Sequence, residues 1–222
     1  LEKSIIPLFN NHFSTSSNYD IMGKFYEEFL RYAGVSNVKK GIVLTPRHIT
    51  TLFTKLIPMK ADDVILDLCC GTGAFLIAGM NKLISLIQNS DRSDKVEAIN
   101  NVKENQLFGF ELNPTMYICA LSNMLFRGDG KSNIYNYDSI RDSNVDRILK
   151  EVKPTIGFIN PPYSGKENKE DPTPKEITFL TKMLDNCSRY GVIIAPYSAY
   201  SKDDIIRENI LKKHTLKFVI NM

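Results

Sequence analysis

Apolar and polar positions follow two rhythms along this chain. Ile49, Leu52, Phe53, Leu56 and Ile57 recur at three- and four-residue spacing. That spacing predicts an amphipathic helix with Thr45 as N-cap and Pro46 at its first position. Upstream, Asp20 as N-cap, then Met22, Phe25 and Phe29, then a stop at Gly34 predict another helix. Residues 64–68 form a short β-branched run and read as a buried strand, and residues 74–88 read as a helix. Residues 107–110 read as a strand. Asn113-Pro114 opens a helix with Met116, Cys119, Ala120 and Met124 on one side. A weaker strand is expected at 134–137 and a firm one at 155–159. Ile177, Leu180, Leu184 and Cys187 mark a further amphipathic helix, and strands are expected at 192–195 and 216–220. The polar residues 89–105 read as a long connection. Residues 164–176, rich in Lys, Glu, Gly and Pro, read as a mobile loop that is either simply solvated or turned toward a polyanion.

Strands alternating with helices imply an α/β fold, a Rossmann-like doubly wound sheet with helices on both faces, in which ligands sit beyond the carboxyl ends of the strands. The 222 residues suffice for one domain with a proper core, and 43% hydrophobic with 24% charged residues excludes a disordered chain. No apolar run approaches the roughly 18 residues of a membrane-spanning helix. Charge adds little: 28 basic against 25 acidic residues permit contact with nucleic acid without demanding it. The four cysteines (Cys69, Cys70, Cys119, Cys187) and three histidines (His12, His48, His214) lack metal-ligand spacing, so no metal site is expected. Adjacent Cys69 and Cys70 are poor disulfide partners, and a reducing, cytoplasmic setting is expected. No leader pattern follows Leu1, so Asn186-Cys187-Ser188 reads as an accidental glycosylation match. Gly128-Asp129-Gly130-Lys131-Ser132 is not a phosphate loop, because Leu125 stands where its first glycine belongs.

Three strand ends carry candidate chemistry. In Asp67-Leu68-Cys69-Cys70-Gly71-Thr72-Gly73-Ala74-Phe75 a strand runs through a glycine turn into a helix, whose free N–H groups suit a carboxylate. Leu76 replaces the third glycine of a dinucleotide fingerprint. In Phe110-Glu111-Leu112-Asn113-Pro114 the acid fits two roles, binding ribose hydroxyls or stabilising a helix N-terminus. A ribose acid usually follows its glycine turn by about 20 residues; the stretch 89–105 would account for the longer spacing here. In Asn160-Pro161-Pro162-Tyr163 the prolines end the sheet ladder and stiffen the turn. Asn160 with a rigid neighbouring carbonyl offers two acceptors, which suits an exocyclic amine, and Tyr163 offers a flat face for a base.

Together these segments resemble the amino-methyltransferases that use S-adenosylmethionine. Gly41-Ile42-Val43-Leu44-Thr45-Pro46 resembles the Thr-Pro motif of N6-adenine DNA methyltransferases. Asp20-Ile21-Met22-Gly23-Lys24-Phe25-Tyr26-Glu27 resembles the segment before it in the modification subunits of type I restriction–modification systems, which fused restriction–modification enzymes share. The similarity covers roughly residues 20–222. It implies that Thr45, Pro46, Gly71 and Gly73 hold the methionine part of the cofactor, with Asp67 near its amino group. It also implies that Glu111 binds the ribose, that Asp138 contacts the cofactor adenine with Ser139 beside it, and that Asn160, Pro161, Pro162 and Tyr163 hold a flipped target adenine.

The resemblance further implies double-stranded DNA, a specificity subunit or domain and a restriction subunit as partners. Two other readings stay open: a methyltransferase acting on glutamine amides or RNA bases, and a cofactor-binding module inactive without its partners. Residues 1–40 are expected to form a helical lead-in and 41–222 the catalytic core. The start at Leu1 and the end after an apolar run suggest a core cut from a longer enzyme, lacking the last strand or strands of its sheet.

Overall fold

The computed structural model describes residues 44–128, 133–163, 175–201 and 204–221. The helix expected after Asp20, residues 41–43, residues 129–132 and most of the 164–176 loop lie outside them. Five strands, β1 (Ile65–Asp67), β2 (Leu107–Phe110), β3 (Asn133–Tyr135), β4 (Ile156–Ile159) and β5 (Tyr190–Ile193), form one parallel sheet in the order β3-β2-β1-β4-β5. Ile65 lies opposite Leu107 on one side and Ile156 on the other. The chain moves outward from β1 to β2 and β3, then returns to place β4 on β1's other flank. That reversal creates a crevice between the carboxyl ends of β1 and β4.

The described helices are α1 (Arg47–Leu56), α2 (Ala74–Gln88), α3 (Lys95–Asn105), α4 (Pro114–Leu125), α5 (Ser143–Val152), α6 (Lys175–Asn186), α7 (Tyr197–Ser201) and α8 (Asp204–Lys213). Period-two alternation in the strands sorts them into layers. Ile65, Leu107, Ile134, Ile156 and Phe158 pack with buried residues of α1 to α4. Leu66, Phe108, Phe110 and Ile159 pack with α5 and α6 on the opposite face. Phe53, Phe75 and Phe158 stack in series at 5.6 and 5.5 Å between ring centres, tying α1 and α2 to β4. Burial of each such ring is worth about 1.5–3 kcal/mol.

Several elements differ from the sequence reading. The expected connection 89–105 contains α3, whose buried stripe is only Ala98 and Val102, too thin to stand out. Helices α5, α7 and α8 were not anticipated, although Val145, Ile148 and Leu149 give α5 a helical spacing of buried positions. Lys175 and Glu176, expected in the loop, open α6. The strand near 192–195 begins earlier, at Tyr190. Residues 216–220 form no strand. They have no ladder partner among the described residues, and Leu216, Phe218 and Val219 stay about half exposed. Finally, Pro46 and not Thr45 is the N-cap of α1; the Pro46 carbonyl accepts from the Ile49 and Thr50 amides. The Thr45 hydroxyl is engaged elsewhere.

Candidate functional site

All five strands are parallel, so their carboxyl ends share one edge. The sequence-selected residues occupy four neighbouring ends: Asp138 and Ser139 after β3, Glu111 after β2, Asp67 with Gly71 and Gly73 after β1, and Asn160 to Tyr163 after β4.

The glycine turn is built from left-handed backbone. Gly71 (φ +56°) and Gly73 (φ +84°) occupy a region that side chains disfavour. The Gly73 amide donates to the Cys70 carbonyl (2.8 Å), and Gly73 then caps α2. Among the described residues, a Cβ on Gly71 would meet nothing within 4 Å. No described residue fills the space beside the backbone there, so a ligand can approach it closely. Asn123, fully buried on α4, braces the turn by donating its amide to the Thr72 carbonyl (2.8 Å).

Two acids flank this turn. Asp67 is 1% exposed, and its Oδ1 accepts from the Cys69 amide (3.0 Å). Burial pushes its carboxyl up to about 8; the Cys69 amide opposes that rise and the charge of Glu111 adds to it. Glu111 accepts from the Gly71 amide at Oε2 (2.8 Å) and from the Asn113 amide at Oε1 (2.7 Å). Burial raises its carboxyl, and those amides hold it down. Glu111 therefore joins the glycine turn to the start of α4. An ionised carboxylate has about four acceptor sites, which leaves lone pairs for further donors. Asn136 fixes the loop below it by donating to the Glu111 (2.7 Å) and Leu112 (3.1 Å) carbonyls. Asp138 caps its own turn, with Oδ1 accepting from the Ile140 (3.0 Å) and Arg141 (3.1 Å) amides, and Ser139 is buried beside it.

The fourth end has the most defined side-chain geometry. Asn160 donates through Nδ2 to the Thr45 Oγ1 (3.0 Å), and its Oδ1 accepts from the Tyr163 hydroxyl (2.5 Å). Pro161 is buried and Pro162 exposed. Burial, then the neighbouring Cys69 and Glu176, push the Tyr163 phenol up to about 12, so it stays a donor at neutral pH. Cys69 and Cys70 are held well above the usual thiol range, first by burial and then by Asp67 and Glu111. They remain protonated, consistent with packing groups.

The sequence pointed to the strand ends but not to their supports. Asn123 and Asn136 work through side-chain amides with no periodic signature. Glu176, 4% exposed with an Oε2 that has no hydrogen-bond partner among the described residues, falls in the segment whose composition suggests a loop. No cluster of three or more potential metal ligands occurs among the described residues, and no helix among them is long and apolar enough to cross a membrane.

A sheet in this order, with a glycine turn after its first strand and acids on adjoining ends, defines a Rossmann-like domain of the methyltransferase type. The chain belongs to the N-6 DNA methylase family, whose model matches residues 17–222. It is 36% identical over 214 residues to the type II restriction enzyme and methyltransferase RM.BcgI of Heyndrickxia coagulans, covering 94% of this chain and 32% of that protein. It is 30% identical over 173 residues to the type I restriction enzyme MjaVIII methylase subunit of Methanocaldococcus jannaschii, covering 72% and 26% respectively. The chain thus spans about a third or less of these relatives' lengths. Among solved structures, the modification subunit of a putative type I restriction enzyme from Vibrio vulnificus YJ016 matches with a TM-score of 0.65 at 22% identity, over 85% of this chain and 42% of that one. The EcoKI M protein matches with a TM-score of 0.63 at 18% identity, over 77% and 38%. These two structures share its fold.

Proposed function

We propose that this chain is the catalytic core of an adenine-N6 DNA methyltransferase of a restriction–modification system, with S-adenosylmethionine as donor. The observation that carries this reading is the placement of Asn160-Pro161 at the end of β4, across the crevice from the glycine turn. The cofactor fits the residues present. It carries an ammonium and a sulfonium, and the edge that would receive it holds Asp67, Glu111 and Asp138. Its carboxylate suits the amides at the start of α2, and the space beside Gly71, which no described residue fills, admits its backbone-sized end.

On this reading Thr45, Pro46, Gly71 and Gly73 hold the methionine part, and Asp67 faces its ammonium. Glu111 takes the ribose hydroxyls; Asp138 and Ser139 flank the adenine. S-adenosylmethionine supplies an electrophilic methyl group on sulfur. The residues prepare the nucleophile. The amine of adenine is weak because its lone pair is delocalised into the ring. Asn160 Oδ1 and the Pro161 carbonyl each accept one N–H, which draws the nitrogen toward tetrahedral geometry and frees the lone pair for in-line attack; as the N–C bond forms the S–C bond would break, a neutral thioether would leave and the nitrogen would lose one proton to water. Pro162 stiffens the turn. Tyr163 stacks on the flipped base, offsetting about 1–3 kcal/mol of the cost of extrusion. DNA reading is assigned to a specificity subunit or domain, and cleavage to a restriction subunit.

Asn160→Ala should bind S-adenosylmethionine within about twofold of wild type while transfer of labelled methyl to double-stranded DNA drops by at least about 100-fold. Calorimetry and a filter assay with the recognition partner supplied measure the two. Undiminished DNA methylation by that variant overturns the assignment. Label appearing on RNA or protein in place of DNA redirects the substrate.

A further inference from the structure

Asn160 is tied to residues on both sides. Its Nδ2 donates to Thr45, 115 positions earlier in the chain, and its Oδ1 accepts from Tyr163, three positions later. A carbonyl oxygen has two lone pairs, so the Tyr163 hydroxyl leaves one for an incoming amine. The two ties differ in what happens when a base arrives. A Tyr163 ring that turns to stack on the base carries its hydroxyl away from Oδ1. Thr45 lies two residues before α1, which the Phe53–Phe75–Phe158 stack packs against β4. Its tie does not depend on the movement of Tyr163.

We infer that the Thr45 hydroxyl is a positioning group for the target amine: it holds the Asn160 amide with nitrogen toward α1 and oxygen toward the base. This rests on the function proposed above and adds to it, because a side chain expected to serve the cofactor also fixes the acceptor on the substrate side. Donation from Nδ2 polarises the amide and strengthens Oδ1 as an acceptor. Losing it frees the amide to rotate out of alignment with the amine.

Thr45→Val keeps the shape and removes the oxygen; Thr45→Ser keeps the oxygen. At saturating S-adenosylmethionine, Thr45→Val should lower single-turnover methyl transfer by about 10- to 100-fold, a loss that added cofactor does not restore. Thr45→Ser should recover most of the transfer. Nitrogen-15 NMR of the Asn160 side-chain amide in the intact chain gives an independent reading. Its signals should shift in Thr45→Val and return in Thr45→Ser. Transfer in Thr45→Val restored by excess cofactor, unchanged transfer in that variant, or an unmoved amide signal would each overturn the inference. Transfer abolished in Asn160→Ala but intact in Thr45→Val removes the positioning role and leaves the proposed function standing. Undiminished transfer in Asn160→Ala removes the function itself. Where the wild-type chain transfers no methyl, the amide signal alone decides.

Discussion

At the residue scale, the acid next to the glycine turn couples folding to pH. Asp67 has an ordinary carboxyl value of 3.8 when unfolded and about 8 when buried in the fold. Between these values the folded state holds a proton that the unfolded state has released. Stability from this group is therefore full below about 3.8 and is lost as pH rises through about 8. The cofactor-free chain should melt at progressively lower temperature across that window, and Asp67→Asn should flatten the slope. On the proposed reading, an ammonium facing Asp67 favours the ionised carboxyl, so S-adenosylmethionine should protect most strongly near the upper end. Melting curves from pH 5 to 8, with and without cofactor, test both statements. A slope unchanged in Asp67→Asn would assign the dependence to other groups. Asp67, Glu111 and Asn160 were legible in the sequence because each stands at the end of an apolar strand. The bond from Asn160 to Thr45 and that from Asn123 to Thr72 were not. They join residues 115 and 51 positions apart, and only the folded sheet brings them together.

At the element scale, legibility followed the strength of the apolar pattern. Helix α2 matched its expected span because seven of its fifteen residues are buried. Helix α3 was read as a connection because only Ala98 and Val102 face the core. The run 216–220 misled in the other direction: apolar composition suggests a strand, but a strand exists only when a neighbour takes its hydrogen bonds. Asn113 does cap α4, accepting from the Thr115 (2.9 Å) and Met116 (3.2 Å) amides, with Pro114 at the first helical position. Thr45 has the chemistry of such a cap but stands one residue before the N-cap Pro46, and its hydroxyl accepts from Asn160. Asn113→Ala should cost about 1 kcal/mol, a fall of about 2–4 °C in melting temperature for a chain of this size. The backbone amide that Asn113 gives to Glu111 survives the change, so cofactor affinity should fall by less than about threefold. A larger loss of affinity would mean that the cap itself orients Glu111.

At the scale of the whole molecule, the two edges of the sheet have different work. The carboxyl edge carries the acids Asp67, Glu111 and Asp138 and a glycine turn beside space that no described residue fills. The amino edge is closed by Asp63, which is 1% exposed and lies just before β1. It accepts from the Lys60 amide (2.6 Å), the Thr155 hydroxyl (2.8 Å) and the Arg189 guanidinium. The Thr155 hydroxyl in turn accepts from the Val64 amide (2.9 Å). One buried acid thus fastens the starts of β1, β4 and β5. This clamp lies at the far end of the two strands whose carboxyl ends form the crevice. Asp63→Ala would leave a guanidinium and a hydroxyl without their partner. Removing one member of a buried pair costs about 3–5 kcal/mol, and Arg189 keeps some access to water, so the lower figure applies. That corresponds to a fall of about 10 °C in melting temperature. Because the clamp and the site lie at opposite ends of β1 and β4, the protein that remains folded at low temperature should bind S-adenosylmethionine with unchanged affinity. Thermal melting and calorimetry on the same Asp63→Ala sample separate the two effects. A loss of affinity in fully folded protein would show that the amino edge sets the spacing of β1 and β4 at the crevice and does not merely stabilise the sheet.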